Sequence, residues 1–195
     1  MFIVAIKNII CIIALILISP ILILAALFVV LEDGMPVFFM QQRIGLHKKL
    51  FTIYKIRTMK KNAPQIGTHA IENAYKLRIG LILRKLKLDE FPQLLNVIFG
   101  DLNLVGPRPG LENQYELIES RSRKDIFSTK PGITGLAQIL GYDMSDPKLL
   151  AEIDGLYVKN QTIVLDSVIL LGTFFNFPRR YLASQFKIQN LKNNQ

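Results

Sequence analysis

The sequence predicts an α+β fold, mostly helical, in which an apolar N-terminal segment enters a membrane and a small mixed domain follows it. Three observations carry that expectation. No charged residue falls between Ile9 and Leu31. Two stretches rich in β-branched and aromatic residues, Val37 to Gln42 and Leu50 to Met59, flank Gly45, His47 and several basic residues, the pattern of a short β-hairpin. Beyond residue 70 the apolar positions recur mainly at helical spacing, and the helices are amphipathic enough for a membrane interface. At 195 residues the chain has room for one core rather than two. The natural boundary is Glu32-Asp33-Gly34, which separates a membrane segment, residues 1–33, from a domain spanning residues 34–195.

As a straight helix, Ile9 to Leu31 would be about 35 Å long at ~1.5 Å per residue, enough to span a hydrocarbon core of roughly 30 Å. Pro20 sits at its midpoint, where it removes a backbone donor and crowds the carbonyl of Ile16. The Ser19 hydroxyl can bond carbonyls freed in the preceding turn. The flanking charges add a topological conflict, because Lys7 marks one end as cytoplasmic while Arg43, Lys48, Lys49, Lys55, Arg57, Lys60 and Lys61 mark the other. A hairpin that turns back at Ser19-Pro20 resolves the conflict, each arm of about 16 Å reaching half the core. A kinked span is the alternative, and the residues alone leave both standing. The run is too long for the core of a signal peptide, and no small-x-small cleavage pattern follows it.

The remainder divides at its turns. Asn62 to Ala70, with Pro64 and Gly67, reads as a loop leading into a basic amphipathic helix from about Ile71 to Lys87. A short helix from Glu90 to Phe99 is closed by Gly100, Leu102 to Val105 is extended, and a polar helix fills roughly Leu111 to Ile126. Pro131-Gly132 makes a turn, Ile133 to Leu140 reads as extended, and helices follow over Pro147 to Val158 and Val164 to Phe175. In the tail, Phe174, Phe175, Phe177, Arg179, Arg180 and Tyr181 suit either a membrane interface or core packing with a solvated end.

Lys and Arg outnumber Asp and Glu by 24 to 15, so anionic surfaces should attract the chain. Phospholipid headgroups and phosphorylated substrates both qualify. Nucleic acid does not, because no helix-turn-helix, RNP or zinc-finger pattern accompanies the charge and a bilayer segment is present. The single cysteine, Cys11, lies in the apolar run, so there is no disulfide framework and no cysteine zinc site. His47 and His69 are isolated from any second histidine at ligand spacing.

The stretch Leu88-Asp89-Glu90-Phe91-Pro92-Gln93 carries the chemistry. Asp89 reads as an N-cap, Glu90 falls in the first turn and Pro92 is tolerated there, so both carboxylates lie at the positive end of a helix dipole and should stay ionised. Adjacent ionised acids can hold a divalent cation, or one can attack phosphorus while the other binds metal. Acidic residues are also common at helix starts with no chemical role. Arg84, Lys85 and Lys87 lie just before the pair, and Gly106-Pro107-Arg108-Pro109 follows it. Prolines on both sides of Arg108 restrict its backbone and would ready the guanidinium for a phosphate.

These segments, with Tyr54-Lys55-Ile56-Arg57-Thr58-Met59, Asn96-Val97, Gly100-Asp101 and Lys130-Pro131-Gly132-Ile133-Thr134-Gly135-Leu136-Ala137-Gln138, resemble the bacterial sugar transferase family in order and spacing. These are the monotopic phosphoglycosyl transferases that initiate capsule, O-antigen and glycoprotein glycan assembly. The resemblance runs from the N-terminal segment to about Leu171. It implies a re-entrant membrane helix broken at Ser19-Pro20, in the bacterial inner membrane, with the catalytic domain on the cytoplasmic face. Asp89 becomes the nucleophile that attacks the β-phosphate of a UDP-sugar, expels UMP and carries the phosphosugar until polyprenyl (undecaprenyl) phosphate accepts it. Glu90, with Asp89 beside it, would bind Mg²⁺. Arg84 and Arg108 fall at basic family positions assigned to substrate phosphates, and Lys55 and Arg57 at positions for headgroup, carrier phosphate or structure. Many relatives have Gly-Arg where this chain has Gly141-Tyr142, so the sugar cannot be copied from them.

Two other readings remain in view. A Mg²⁺-dependent nucleotide-sugar hydrolase would use the same acidic pair and let water finish the reaction. A catalytically silent membrane adaptor would use the basic hairpin and helices only to bind lipid or a partner enzyme. A homo-oligomer is compatible with either.

Overall fold

The computed structural model of the protein describes residues 2–63 and 75–186. Helix α1 (Phe2–Asp33) precedes a two-stranded hairpin of β1 (Phe38–Ile44) and β2 (Leu50–Ile56). Helix α2 (Arg78–Lys85), a 3-10 segment (Leu88–Gln93) and α3 (Leu94–Phe99) follow, then β3 (Asn103–Val105) and α4 (Tyr115–Ser122). A second 3-10 segment (Ile126–Ser128) leads to β4 (Gly132–Thr134), α5 (Leu136–Ile139), α6 (Pro147–Asn160), α7 (Ile163–Phe174) and α8 (Asn176–Gln185). The protein is thus mostly helical with a short β-hairpin, as its sequence predicts. From residue 64 onward the loop expected over Asn62 to Ala70 lies outside the described residues. So do His69, residues 71–74 of the expected amphipathic helix, and residues 187–195.

The chain forms two compact units: Met1–Gln41 with Thr52–Gly100, and Gln42–Phe51 with Asp101–Gln195. In the first, helical backbone runs unbroken from Phe2 to Asp33 with Pro20 inside it. The turn of non-helical residues that two separate arms would need at Ser19-Pro20 is not present. Ser19 Oγ donates to the Ile16 carbonyl at 2.8 Å, supplying the donor that Pro20 lacks. Most of α1 presents bare hydrocarbon: Ile16, Leu17, Ile23 and Leu31 are each at least 64% exposed. By length and composition the helix could cross a membrane. Cys11 is buried, and in the C-terminal third Ala25 and Val29 pack with Ile56, Leu77 and Leu83.

The end of α1 also anchors the start of α2. Glu32 accepts from the backbone N–H groups of Arg78 and Ile79 at 2.6 and 3.1 Å, capping α2 with a charge that suits a helix N-terminus. Helix α2 therefore starts at Arg78; Lys76 is instead bridged to Met59, so the helix expected from Ile71 is shorter at its N-terminal end. Gly80 lets α2 lie against the backbone of Thr58, since a Cβ there would fall 2.2 Å from the Thr58 carbonyl oxygen. A second glycine, Gly100, ends α3 in the left-handed region at φ 88°.

In the second unit β3 and β4 pair in parallel, Asn103 opposite Gly132 and Val105 opposite Thr134. Leu117, Leu136, Ile139, Leu149, Ile153, Tyr157, Ile169 and Leu182 build the core. Helices α6 and α7 match their sequence expectations closely, each with a side-chain cap: Asp146 accepts from the Leu149 N–H and Thr162 from the Leu165 N–H. The expected extended run Ile133 to Leu140 stops at Thr134, because Gly135 breaks it and Leu136 to Ile139 turn helical, burying Leu136, Ala137 and Ile139. The polar helix expected over Leu111 to Ile126 is confined to Tyr115–Ser122. The core-packing reading of the tail is overturned: Phe174, Phe175, Phe177 and Tyr181 are all more than half exposed. Arg179 instead caps α7 through the carbonyls of Gly172 and Thr173.

Candidate active site

The acidic pair sits at the entry to the 3-10 segment, and its local geometry differs from the expected cap. Lys87 precedes the segment in the left-handed region, at φ 57° and ψ 20°, and Asp89 lies inside it rather than at its N-cap. The tighter winding turns Asp89 inward, leaving it 7% exposed, while the Glu90 side chain is 18% exposed and accepts from Lys55 Nζ at 2.6 Å. Lys55 projects from β2, and the distance between strand and helix is set by Asn96 of α3. Asn96 is fully buried; its Oδ1 accepts from the Tyr54 N–H at 3.2 Å and its Nδ2 donates to the Thr52 carbonyl at 2.7 Å. A polar side chain that satisfies a strand on both its donor and its acceptor side fixes that strand's register against the helix.

Burial, not the helix dipole, dominates the electrostatics of Asp89. Desolvation pushes its carboxyl above the usual carboxylate range, opposed by the charges of Lys55 and Arg84 and reinforced by Glu90. Arg84, from the last turn of α2, donates from Nε to Thr58 Oγ1 at 2.8 Å and contributes positive charge to Asp89.

Arg57 is held differently. It is buried, and its guanidinium donates to Asp33 and to the carbonyls of Pro36, Gly34 and Met59. It ties the end of α1 to the end of β2, so of the roles open to Arg57 its geometry supports structure. Among the described residues no group of three or more histidines, cysteines or acids gathers at metal-ligand spacing. Mg²⁺ needs only one or two protein carboxylates when substrate phosphates and water supply its other oxygens, and Asp89 with Glu90 fits that donor set.

The Gly-Pro-Arg-Pro turn belongs to the second unit, and its backbone is pinned residue by residue. The carbonyls of Pro107, Pro109 and Gly110 accept from the Gly132 N–H at 3.0 Å, Arg43 Nη1 at 3.2 Å and the Ile44 N–H at 3.0 Å. The Gly106 N–H donates to Thr134 at 2.9 Å, and the Arg108 carbonyl accepts from Arg121 Nη1 at 2.8 Å. Arg121 in turn donates from Nε and Nη2 to Asp154 Oδ2 at 3.0 and 2.6 Å, in a pair whose side chains are each only 3% exposed. Sequence reasoning missed Arg121, Asp154 and Glu32, whose partners lie 33 and 46 positions away in the chain. Tyr142 lines an open cleft of about 300 Å³ with Gly141, Asp143, Ser145 and Asp146.

Residues 2–180 match the sequence model of the bacterial sugar transferases. The sugar transferase EpsL of Bacillus subtilis is 42% identical over 86% of this chain and 80% of its own length. A UDP-glucose:undecaprenyl-phosphate glucose-1-phosphate transferase of Caulobacter vibrioides is 36% identical over 80% of this chain and 62% of its own. A UDP-N-acetylgalactosamine-undecaprenyl-phosphate N-acetylgalactosaminephosphotransferase of Aeromonas hydrophila is 37% identical over 83% of this chain, which spans only 40% of that longer protein. With almost the whole chain matched, and the acidic pair, its lysine strand and the pinned arginine turn all inside the match, this protein belongs to the bacterial sugar transferase family.

Proposed function

We propose that the chain moves a sugar 1-phosphate from a UDP-sugar to undecaprenyl phosphate, with Asp89 as nucleophile. The observation that carries this reading is a buried Asp89 facing Lys55 and Arg84 in a chain matched over nearly its full length by sugar transferases. An Asp89 carboxylate oxygen attacks the β-phosphorus, the bond from that phosphorus to the bridging oxygen breaks, and UMP leaves with the bonding electrons. An oxygen of undecaprenyl phosphate then attacks the same phosphorus, the acyl phosphate bond breaks, and the Asp89 carboxylate is regenerated. The product is a polyprenyl-diphosphate sugar.

Burial serves this chemistry by stripping water from the nucleophile, and the charges of Lys55 and Arg84 act against the upward push that burial gives its carboxyl. Lys55 and Arg84 offset charge building on the transferred phosphoryl group, and Arg108, in the second unit, is read from its motif as a phosphate contact. Glu90 and Asp89 are the residues that would hold Mg²⁺, which supplies Lewis-acid neutralisation of the diphosphate when bound. The named relatives act on glucose and N-acetylgalactosamine donors at nearly equal identity to this chain, so identity does not select its sugar.

The same reading keeps α1 within one leaflet, with the catalytic residues on the cytoplasmic face of the bacterial inner membrane. Basic residues flank both ends of the helix, and Ser19 with Pro20 loosens its ladder at the midpoint, where a bend inside continuous helix would return the chain to its own side. Single cysteines placed at Asn8 and Met35 in a Cys11→Ser background should both be labelled from the cytoplasmic side; labelling from opposite sides would establish a span.

The decisive test incubates wild-type and Asp89→Asn protein with Mg²⁺, undecaprenyl phosphate and UDP-glucose, UDP-galactose or UDP-N-acetylgalactosamine, following UMP. Carrier-dependent UMP from the wild type alone supports the transferase. Catalytic UMP release without carrier would favour a hydrolase.

A further inference from the structure

We infer that the buried Arg121–Asp154 pair is a positioning device for Arg108, an inference that rests on the reading of Arg108 as a phosphate contact. Most salt bridges between helices end on each other, but this one has a third terminus. Asp154 of α6 takes Nε and Nη2 of Arg121, and the remaining guanidinium nitrogen, Nη1, points across to the Arg108 carbonyl at 2.8 Å. A guanidinium is a rigid plane, so fixing two of its nitrogens on a carboxylate fixes the direction of the third. The helix pair α4–α6 thereby dictates where the peptide after Arg108 lies.

The rest of the turn shows why that bond matters. Neither Pro107 nor Pro109 has an N–H, so the turn cannot brace itself with its own donors at those positions and must borrow them. Gly132 lends one to Pro107, Arg43 one to Pro109, and Arg121 the one to Arg108 itself. One helical turn after Asp154, the Tyr157 hydroxyl of the same α6 lies 3.2 Å from the Val105 carbonyl and 2.8 Å from Asp166 Oδ1. Helix α6 thus reaches both ends of Val105–Arg108, directly through Tyr157 and through Arg121 by way of Asp154. A pair needed only to join α4 to α6 could be replaced by apolar side chains at little cost; one that aims a phosphate-binding arginine could not.

The test is a double-mutant cycle on the full chain in detergent, using UMP release with undecaprenyl phosphate and the donor accepted by the wild type. Arg121→Met combined with Asp154→Leu removes both charges together and fills the space; Arg121→Lys keeps the charge balance but loses the fork. Each should lower kcat/KM by on the order of 10- to 100-fold, the size expected for misplacing a binding group by about an ångström. Neither should lower it further when Arg108 is already alanine. A loss through fewer folded molecules would instead multiply with the Arg108→Ala loss, and that multiplication overturns the inference. Full activity of Arg121→Lys overturns it too, even if the apolar pair fails to fold. If Arg108→Ala is itself fully active, the phosphate reading of Arg108 falls and takes the positioning role with it; an impaired Arg108→Ala beside unimpaired Arg121 variants removes the positioning role alone.

Discussion

Asp89 and Asp154 are both buried aspartates whose carboxyls are pushed upward by desolvation, yet their surroundings are opposite in kind. Asp154 lies between two helices with a guanidinium hydrogen-bonded to it through two nitrogens, and the pair is sealed from water. Asp89 feels Lys55 and Arg84 as charges, and the Lys55 ammonium bonds its neighbour Glu90. A carboxylate that takes two guanidinium nitrogens on one oxygen inside a sealed pair is out of a substrate's reach. One balanced by nearby charges instead of a hydrogen-bonded guanidinium is the better nucleophile. The fold needs the first arrangement and the proposed chemistry needs the second.

The sharpest break of that comparison is to neutralise each residue in turn. Asp89→Asn should lower carrier-dependent UMP release by on the order of 1,000-fold or more, as expected for loss of a nucleophile. Its thermal midpoint, followed by circular dichroism in detergent, should hold or rise. The sign follows from linkage: a carboxyl whose folded pKa is raised binds its proton more tightly when folded, so ionising it as pH climbs past the unfolded value costs stability. Asparagine removes that cost at neutral pH. A marked fall in the midpoint would show that Asp89 is a structural acid like Asp154.

Asp154→Ala should do the reverse to the fold. It strands the Arg121 guanidinium in the core, a change that costs about 3–5 kcal/mol when one partner of a buried pair is deleted. Urea or thermal unfolding should register most of that loss. A variant as stable as the wild type would mean that water reaches Arg121, contrary to its 3% exposure.

Next in size is a test of how the first unit holds Arg84 beside Asp89. Gly80→Ala puts a methyl group 2.2 Å from the Thr58 carbonyl oxygen, so α2 must move off its seat. Overpacking of this kind costs about 1–3 kcal/mol. Because Thr58 is also the partner of Arg84, activity should fall with stability, whereas Gly155→Ala on α6, whose added methyl meets only the flexible Lys124 side chain at 3.4 Å, should leave both nearly unchanged.

The two aspartates also mark what the sequence could and could not disclose. Asp89 was legible as a chemical residue because its neighbours within ten positions, Arg84, Lys85, Lys87 and Glu90, already form a charged cluster. Its burial was not, because that depends on Lys87 adopting a left-handed conformation and on the segment winding as 3-10, neither of which leaves a mark in composition. Asp154 was invisible because its meaning resides in Arg121, 33 positions away. Glu32 likewise caps a helix that starts 46 positions later. Periodicity located α6 and α7 well, and failed at α5, where a four-residue helix is too short to show a period. The bond from Ser19 to Ile16 was legible because it is local and Pro20 dictates which carbonyl lacks a donor.

The finest test leaves both aspartates in place and shifts the balance around Asp89. Lys55 is the larger of the two positive influences on its carboxyl, and Glu90 is the negative one. The acid limb of the kcat/KM profile should already lie above the ordinary carboxylate range, because the nucleophile must be ionised and burial favours its protonated form. Lys55→Met removes a charge that lowers the pKa and should move that limb to higher pH. Glu90→Gln removes a charge that raises it and should move the limb to lower pH. Opposite displacements identify Asp89 as the titrating group, whatever each variant does to the plateau. Limbs that move together, or not at all, would mean that the acid limb belongs to another group, such as a substrate phosphate.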